Sequence, residues 1–203
     1  MTLIKYIWKA FKTFKKKYHH FLTYLIFRKN SIKYESFNVT GIPIVQKHKS
    51  SNLKIGSNFS LNNSYSGNII GRQQPCILIA DKNSSIVIGN NVGMSSTAII
   101  CAISIEIGDN VKIGGNSCIY DTDFHSLNQY ERTSIPEKRD NVLKKPVKIG
   151  KNVFIGAHST ILKGVTIGDN TIIGACSVVT RNIPANQVWA GNPAKFVKNI
   201  GDD

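Results

Sequence analysis

The segment Asp121-Thr-Asp-Phe-His125 puts an imidazole and two carboxylates within five residues. Imidazole, with an unperturbed pKa of about 6.5, is well suited to take a proton from a hydroxyl at neutral pH. Side chains alternate along an extended segment, so Asp121, Asp123 and His125 would share one side. Either carboxylate could then orient the ring or stabilise its charge, with Asp123 favoured. The plainer reading is a surface histidine in a loop, with both aspartates accepting local backbone hydrogen bonds. On residue types alone the plainer reading prevails, since one histidine is weak evidence. His158 is a rival base, equally readable as a polar corner residue. A metal centre of three imidazoles would have to recruit His19, His20 or His48, because residues 77–186 hold only His125 and His158. No metal is expected.

The element that must position these groups is a six-residue repeat. From Ile149 the chain reads Ile-Gly-Lys-Asn-Val-Phe, Ile-Gly-Ala-His-Ser-Thr, Ile-Leu-Lys-Gly-Val-Thr, Ile-Gly-Asp-Asn-Thr-Ile, Ile-Gly-Ala-Cys-Ser-Val, Val-Thr-Arg-Asn-Ile-Pro. Six residues advance an α-helix by about 600°, so a helix would lose the phase at every repeat. A flat strand keeps phase, but the glycines would weaken it. A chain that bends at each repeat satisfies both, three hexads closing a triangular coil. Asn152 and Asn170, eighteen apart in matching Ile-Gly-x-Asn settings, suit a left-handed corner. Stacked coils then bury their aliphatics against one another.

The same register recurs at Ile88, Met94 and Ile100, then at Ile107, Ile113 and Ile119 one residue out of phase. One coil side between Ile100 and Ile107 is therefore expected to carry an extra residue. Residues 120–146 break the repeat, as an extruded loop would, and contain Arg132, Arg139, Lys144 and Lys145. The organisation expected is a helix over 1–30, an irregular lead-in over 31–76, a solenoid over 77–186 and a C-terminal cap and tail over 187–203. Gly41-Ile-Pro43 and Leu61 to Gly67 read as turns.

The net charge is +14 over 203 residues, unevenly placed. Residues 1–30 hold eight Lys or Arg, and the first acid is Glu35. In that segment apolar residues including Ile4, Ile7, Trp8, Phe11, Phe14, Tyr18, Phe21 and Leu25 keep helical spacing, and Lys5, Lys9, Lys12 and Lys16 fall opposite. Such a helix either lies on an anionic membrane or packs its apolar face on protein. Charge confined to one helix argues against nucleic acid. Lysines interrupt the apolar run, which predicts neither a signal peptide nor a membrane span. Four cysteines without a C-x-x-C pair read as reduced thiols, which suits the cytoplasm or the inner face of its membrane.

The motifs Ile167-Gly-Asp-Asn, Ile173-Gly-Ala, Val179-Thr-Arg-Asn-Ile-Pro and Ala190-Gly-Asn-Pro-Ala-Lys195 resemble the hexapeptide-repeat acyltransferases, in their maltose, galactoside and polysaccharide O-acetyltransferase branch. The resemblance implies a mainly β fold: a left-handed parallel β-helix, here with an N-terminal amphipathic helix and an extruded loop. It implies acetyl transfer from acetyl-CoA to a hydroxyl of a sugar or polysaccharide precursor, by direct attack, in a homotrimer with its sites between subunits. His125 matches the family's loop base; the choice of Asp123 as its orienter rests on the spacing above. The positions matching the acetyl-CoA surface are Phe154 (usually Trp), Gly156, Ala157, Gly174, Ala175, Thr180, Arg181 and Lys195. On the acceptor side the candidates are Ser95, Ser96, Asp121 and His158. An antibiotic acetyltransferase would use the same loop histidine. A purely structural solenoid would favour uniform faces without such a loop.

Overall fold

A computed structural model describes residues 2–63 and 74–202. The chain folds as a triangular parallel β-helix of three sheets. The first sheet stacks Lys33–Tyr34, Asn52–Ile55, Ser85–Ile88, Ser104–Ile107, Val147–Ile149 and Thr166–Ile167. The second stacks Phe37–Thr40, Phe59–Asn62, Gly93–Ser95, Lys112–Ile113, Phe154–Ile155 and Ile172–Ile173, then Gln187–Ala190 and, antiparallel, Lys195–Asn199. The third stacks Ile44–Lys47, Ile77–Ala80, Ala98–Cys101, Cys118–Tyr120, Thr160–Ile161 and Val178–Val179.

Inward aliphatics fill the prism. Ile88, Met94, Ile107, Ile113, Ile149, Ile155, Ile161, Ile167 and Ile173 are each at most 3% exposed. Burying each such side chain contributes ~1.5–3 kcal/mol before entropy is counted. Asparagines hold the corner between the first and second sheets. Asn58, Asn91, Asn110, Asn152, Asn170 and Asn186 all have φ between 54° and 61°. Their side chains form a ladder, each Nδ2 donating to the next Oδ1 at 2.8–3.1 Å. Asparagine tolerates this backbone and satisfies its neighbour's amide, which is why it recurs there.

Two features differ from the sequence reading. Parallel pairing already begins at Lys33–Tyr34, ahead of the regular hexads at Ile77. The strands Phe37–Thr40, Asn52–Ile55 and Phe59–Asn62 are four residues long and alternate in burial, and Asn52–Ile55 runs into an Ile-Gly-x-Asn corner at Ile55 to Asn58. The expected turn from Leu61 runs into 64–73, outside the described residues, and its first two residues are strand. The phase change also starts earlier than Ile100. Ile99 is fully buried and Ile100 half-exposed. Partners are eighteen apart at Ile149 and Ile167, nineteen at Ile88 and Ile107, and twenty at Ile99 and Ile119. The corner at Ser96 is short, and the next, at Ala102 and Ile103, is long.

The helix Thr2–Lys29 stands at the start of the prism. Its last turns cap the first coil: Phe27 is fully buried, 5.0 Å from the Phe37 ring and 5.6 Å from Tyr34. His20 stacks on Phe37 at 4.3 Å, and the Gly41 N–H donates to His19 Nδ1 at 3.0 Å.

Candidate active site

The loop leaves the third sheet at Tyr120 and rejoins the first at Val147, so it projects from the corner between those sheets. A short neck closes it. Thr122 bridges Lys144, the Asp123 N–H donates to Leu143 O at 3.1 Å, and the Lys145 N–H donates to Asp121 O at 2.9 Å. Beyond the neck, Glu131 accepts from Ser126 and Asn141, and Arg132 donates to the carbonyls of Ser126 and Leu127. The helical turn Gln129–Arg132 is capped by Asn128, whose Oδ1 accepts from the Tyr130 N–H at 2.9 Å. The loop is thus internally bonded, able to hold a side chain in one place.

That side chain is His125, 56% exposed, with Phe124 before it at φ +65°. Its Nδ1 lies 2.7 Å from Glu137 Oε1. Arg139 holds the other carboxylate oxygen of Glu137 at 3.2 Å. The hydrogen bond from His125, followed by that from Arg139, keeps the Glu137 carboxyl below the ordinary glutamate range. An ionised Glu137 accepts the Nδ1 proton, so Nε2 is left bare as the proton acceptor. Glu137, not Asp123, is therefore the carboxylate on the ring. Asp123 instead meets Lys163 Nζ at 2.6 Å, tying the loop to the next coil. Sequence reasoning passed over Glu137 because it lies twelve residues beyond the histidine. Its signal was an acid between the two loop arginines, Arg132 and Arg139.

Asp121 does not face an acceptor. It is fully buried, and its carboxylate accepts from the N–H groups of Ala102, Ile103 and Ser104 at 2.6, 2.7 and 2.8 Å. It fills the long corner created by the phase change. Ser96 is likewise buried, in the short left-handed corner at φ +46°. Ser95 stays half-exposed and meets Phe154, Lys112, Gly114 and Lys16 around a groove of about 470 Å³ on the second sheet.

His158 sits at the corner between the second and third sheets, with φ +63° and Nδ1 3.2 Å from Asn116 Nδ2. The loop leaves from a different corner, so within one chain His158 and His125 belong to different edges of the prism. Ala157, Ala175 and Lys195 share the His158 edge, whereas Thr180 and Arg181 lie past the far end of the third sheet.

The glycines have another cause than a ligand's approach. A Cβ on Gly156 would lie 2.5 Å from Ala175 N, and one on Gly114 2.5 Å from Ala157 N. One on Gly174 would meet the Ala190 Cβ at 2.8 Å. This column is small because the coils stack too closely for side chains there. Ala157 and Ala175 are the residues that reach the edge, half-exposed and exposed respectively. Among the described residues, no group of three or more His, Cys, Asp or Glu is arranged to hold a metal.

Residues 146–181 match the family model described as bacterial transferase hexapeptide (six repeats). The galactoside O-acetyltransferase of Escherichia coli (strain K12) is 40% identical over 120 residues, 59% of this chain and 56% of that protein. Matches to other curated relatives span 62% and 41% of their lengths, so the chain covers less than two thirds of each. A Vibrio cholerae hexapeptide-repeat acetyltransferase, solved with acetyl-CoA, is 30% identical with a TM-score of 0.51, over 60% of this chain and 62% of that one. A Bacillus cereus N-acyltransferase, solved with dTDP and coenzyme A, shares the fold at 23% identity and a TM-score of 0.65, over 84% and 86%. Residues 146–181 carry the hexapeptide repeat, and the chain is similar over about 60% of its length to hexapeptide-repeat and galactoside acetyltransferases.

Proposed function

We propose that this chain is an acetyl-CoA-dependent acetyltransferase that acetylates a hydroxyl of a sugar or polysaccharide precursor. The observation that carries the reading is the His125–Glu137 pair on a braced loop. With Nδ1–H donated to Glu137, Nε2 takes the hydroxyl proton as its oxygen attacks the thioester carbonyl. Collapse of the tetrahedral intermediate releases the CoA thiol, which regains a proton from the imidazolium. The acetyl group passes directly, with no acyl-enzyme. Burial pushes the Cys76 and Cys101 thiols up to about 12, so neither supplies a thiolate at neutral pH. Ala157 and Ala175, with Lys195 beside them, offer a slim, cationic edge suited to a pantetheine arm and CoA phosphates.

A hydroxyl is favoured over an amine because an alcohol needs a base at the moment of attack, and the Escherichia coli relative is named for O-acetylation. The loop base and the Ala157–Ala175 edge belong to different corners of one prism, which supports a site shared between subunits of a cyclic trimer.

The test follows thiol release from acetyl-CoA across hydroxyl sugars, amino sugars and aminoglycosides, with sedimentation of the same preparation. Release with a hydroxyl sugar, lost in His125→Ala, supports the reading. Turnover confined to amino sugars would make the enzyme an N-acetyltransferase, and full activity as a monomer would remove the shared site.

A further inference from the structure

We infer that the helix Thr2–Lys29 is an arm that lays the protein on an anionic lipid bilayer. Ile4, Ile7, Phe11, Phe14, Tyr18, Phe21 and Leu25 recur at alternating spacings of three and four, which puts them in one stripe. In the structure this stripe is open to solvent: its members are 41–69% exposed, and Trp8 beside it is 60% exposed.

The reason is the way the helix is mounted. It rests on the prism through His20, Thr23 and Phe27, of which Thr23 and Phe27 are fully buried. At about 100° per residue, that side lies about 180° round from the stripe. The stripe is thus not the face that packs on the chain's own β-helix. Over the last turns of the helix the body therefore sits on the side away from the stripe, which leaves the stripe free to meet a surface.

Charge selects the surface. Residues 1–30 carry eight Lys or Arg and no acid. Lys5, Lys9 and Lys12 share the mounting side, while Lys15 and Lys17 flank the stripe and can reach past it to phosphates. A second copy of the helix would bring the same charges with no acid to answer them, and Phe and Tyr are poor knobs for a helical seam. Large aromatics with flanking lysines suit the headgroup boundary of an anionic bilayer. No described helix is long and apolar enough to cross a membrane, so the contact is along the surface.

The test uses the full chain with Trp189→Phe, which leaves Trp8 as the sole tryptophan. Its emission is read with vesicles of phosphatidylcholine alone and of phosphatidylcholine with phosphatidylglycerol at about 7:3. A blue shift on the mixed vesicles only, lost at high salt, is expected. Phe11→Ser with Phe14→Ser should weaken that binding at least about tenfold. Lys15→Glu and Lys17→Glu together should abolish the preference for the anionic vesicles. These side chains are exposed, so the β-helix spectrum by circular dichroism should not change. No shift on either vesicle, or equal shifts on both, would overturn the proposal. So would self-association that depends on Phe11 and Phe14 without vesicle binding, which would assign the stripe to a second copy.

Discussion

Replacing Asp121 tests whether its carboxylate serves the fold or the acceptor. Its two oxygens take three backbone N–H groups at 2.6–2.8 Å, and Cys101 Sγ stands 3.3 Å away. Asp121→Ala removes every acceptor at that corner. An unpartnered buried donor costs about 1–3 kcal/mol. Ile103 is 38% exposed, and Ala102 and Ser104 are half-exposed, so water can re-enter and the lower bound applies. Three donors at ~1 kcal/mol each give a loss of ~3 kcal/mol, a large share of the ~5–15 kcal/mol typical of a domain. Asp121→Asn keeps one carbonyl but turns an amide towards donors, and should lose ~2 kcal/mol. Urea unfolding at fixed protein concentration would show this as a lower midpoint with an unchanged slope. Acceptor KM, measured on folded protein, should hardly move. Stability within ~0.5 kcal/mol of the parent, together with a collapse in acceptor KM, would refute the structural role.

The remaining predictions concern the loop and the coil edge. His125→Ala should lower kcat by ~10²–10⁴ while leaving acetyl-CoA affinity intact, and His158→Ala should cost less; the reverse order would exchange their roles. Glu137→Ala should lower kcat with acceptor KM nearly unchanged, and Glu137→Gln, which still accepts from Nδ1, should recover part of it; equal loss in both would make the charge, not the tautomer, the essential feature. Glu137 is held below its ordinary 4.5, so its ionised partnership with His125 is present above that value and is lost only as pH falls through the depressed one. An NMR titration of the Glu137 carboxyl carbon should therefore give a midpoint below 4.5, and a midpoint above it would refute the pairing. Gly156→Val would force a Cβ to within 2.5 Å of Ala175 N, backbone that cannot swing aside, and should destabilise by ~1–3 kcal/mol, read by the urea midpoint.

The solenoid was legible because hexads state their own period: Ile149, Ile161 and Ile167 could point nowhere but inward. The first coils were less so, since Phe37–Thr40 and Phe59–Asn62 reach the same geometry through ordinary alternation, although Ile55-Gly-Ser-Asn58 repeats the hexad corner. Ile100 misled because its neighbour Ile99 is equally apolar, and only the corner at Ser96 decides between them. At the site, His125 could be picked out by type and context, but its partner could not. Sequence proximity favoured Asp123, whereas the loop folds back to deliver Glu137 from twelve residues away. Asp121 and Ser96 looked like contacts for a ligand because polar residues near a loop usually face water. A long corner and a short one drew them inside. The small residues at 114, 156 and 174 were legible as a column but not as to cause, which lies in the spacing between coils.

The closed neck at Thr122 and Lys144 makes the loop a cassette. Its two ends meet, and the coils above and below it pair directly, Ile105 with Val147 and Ile119 with Ile161, as though nothing had been inserted. Selection can therefore rewrite what lies beyond the neck, its length included, without disturbing the order in which coils are laid down. A change of acceptor in this lineage would need no new scaffold. It would also leave little trace in the repeats by which such chains are recognised, so kinship along the coils is a poor guide to what the loop acts upon.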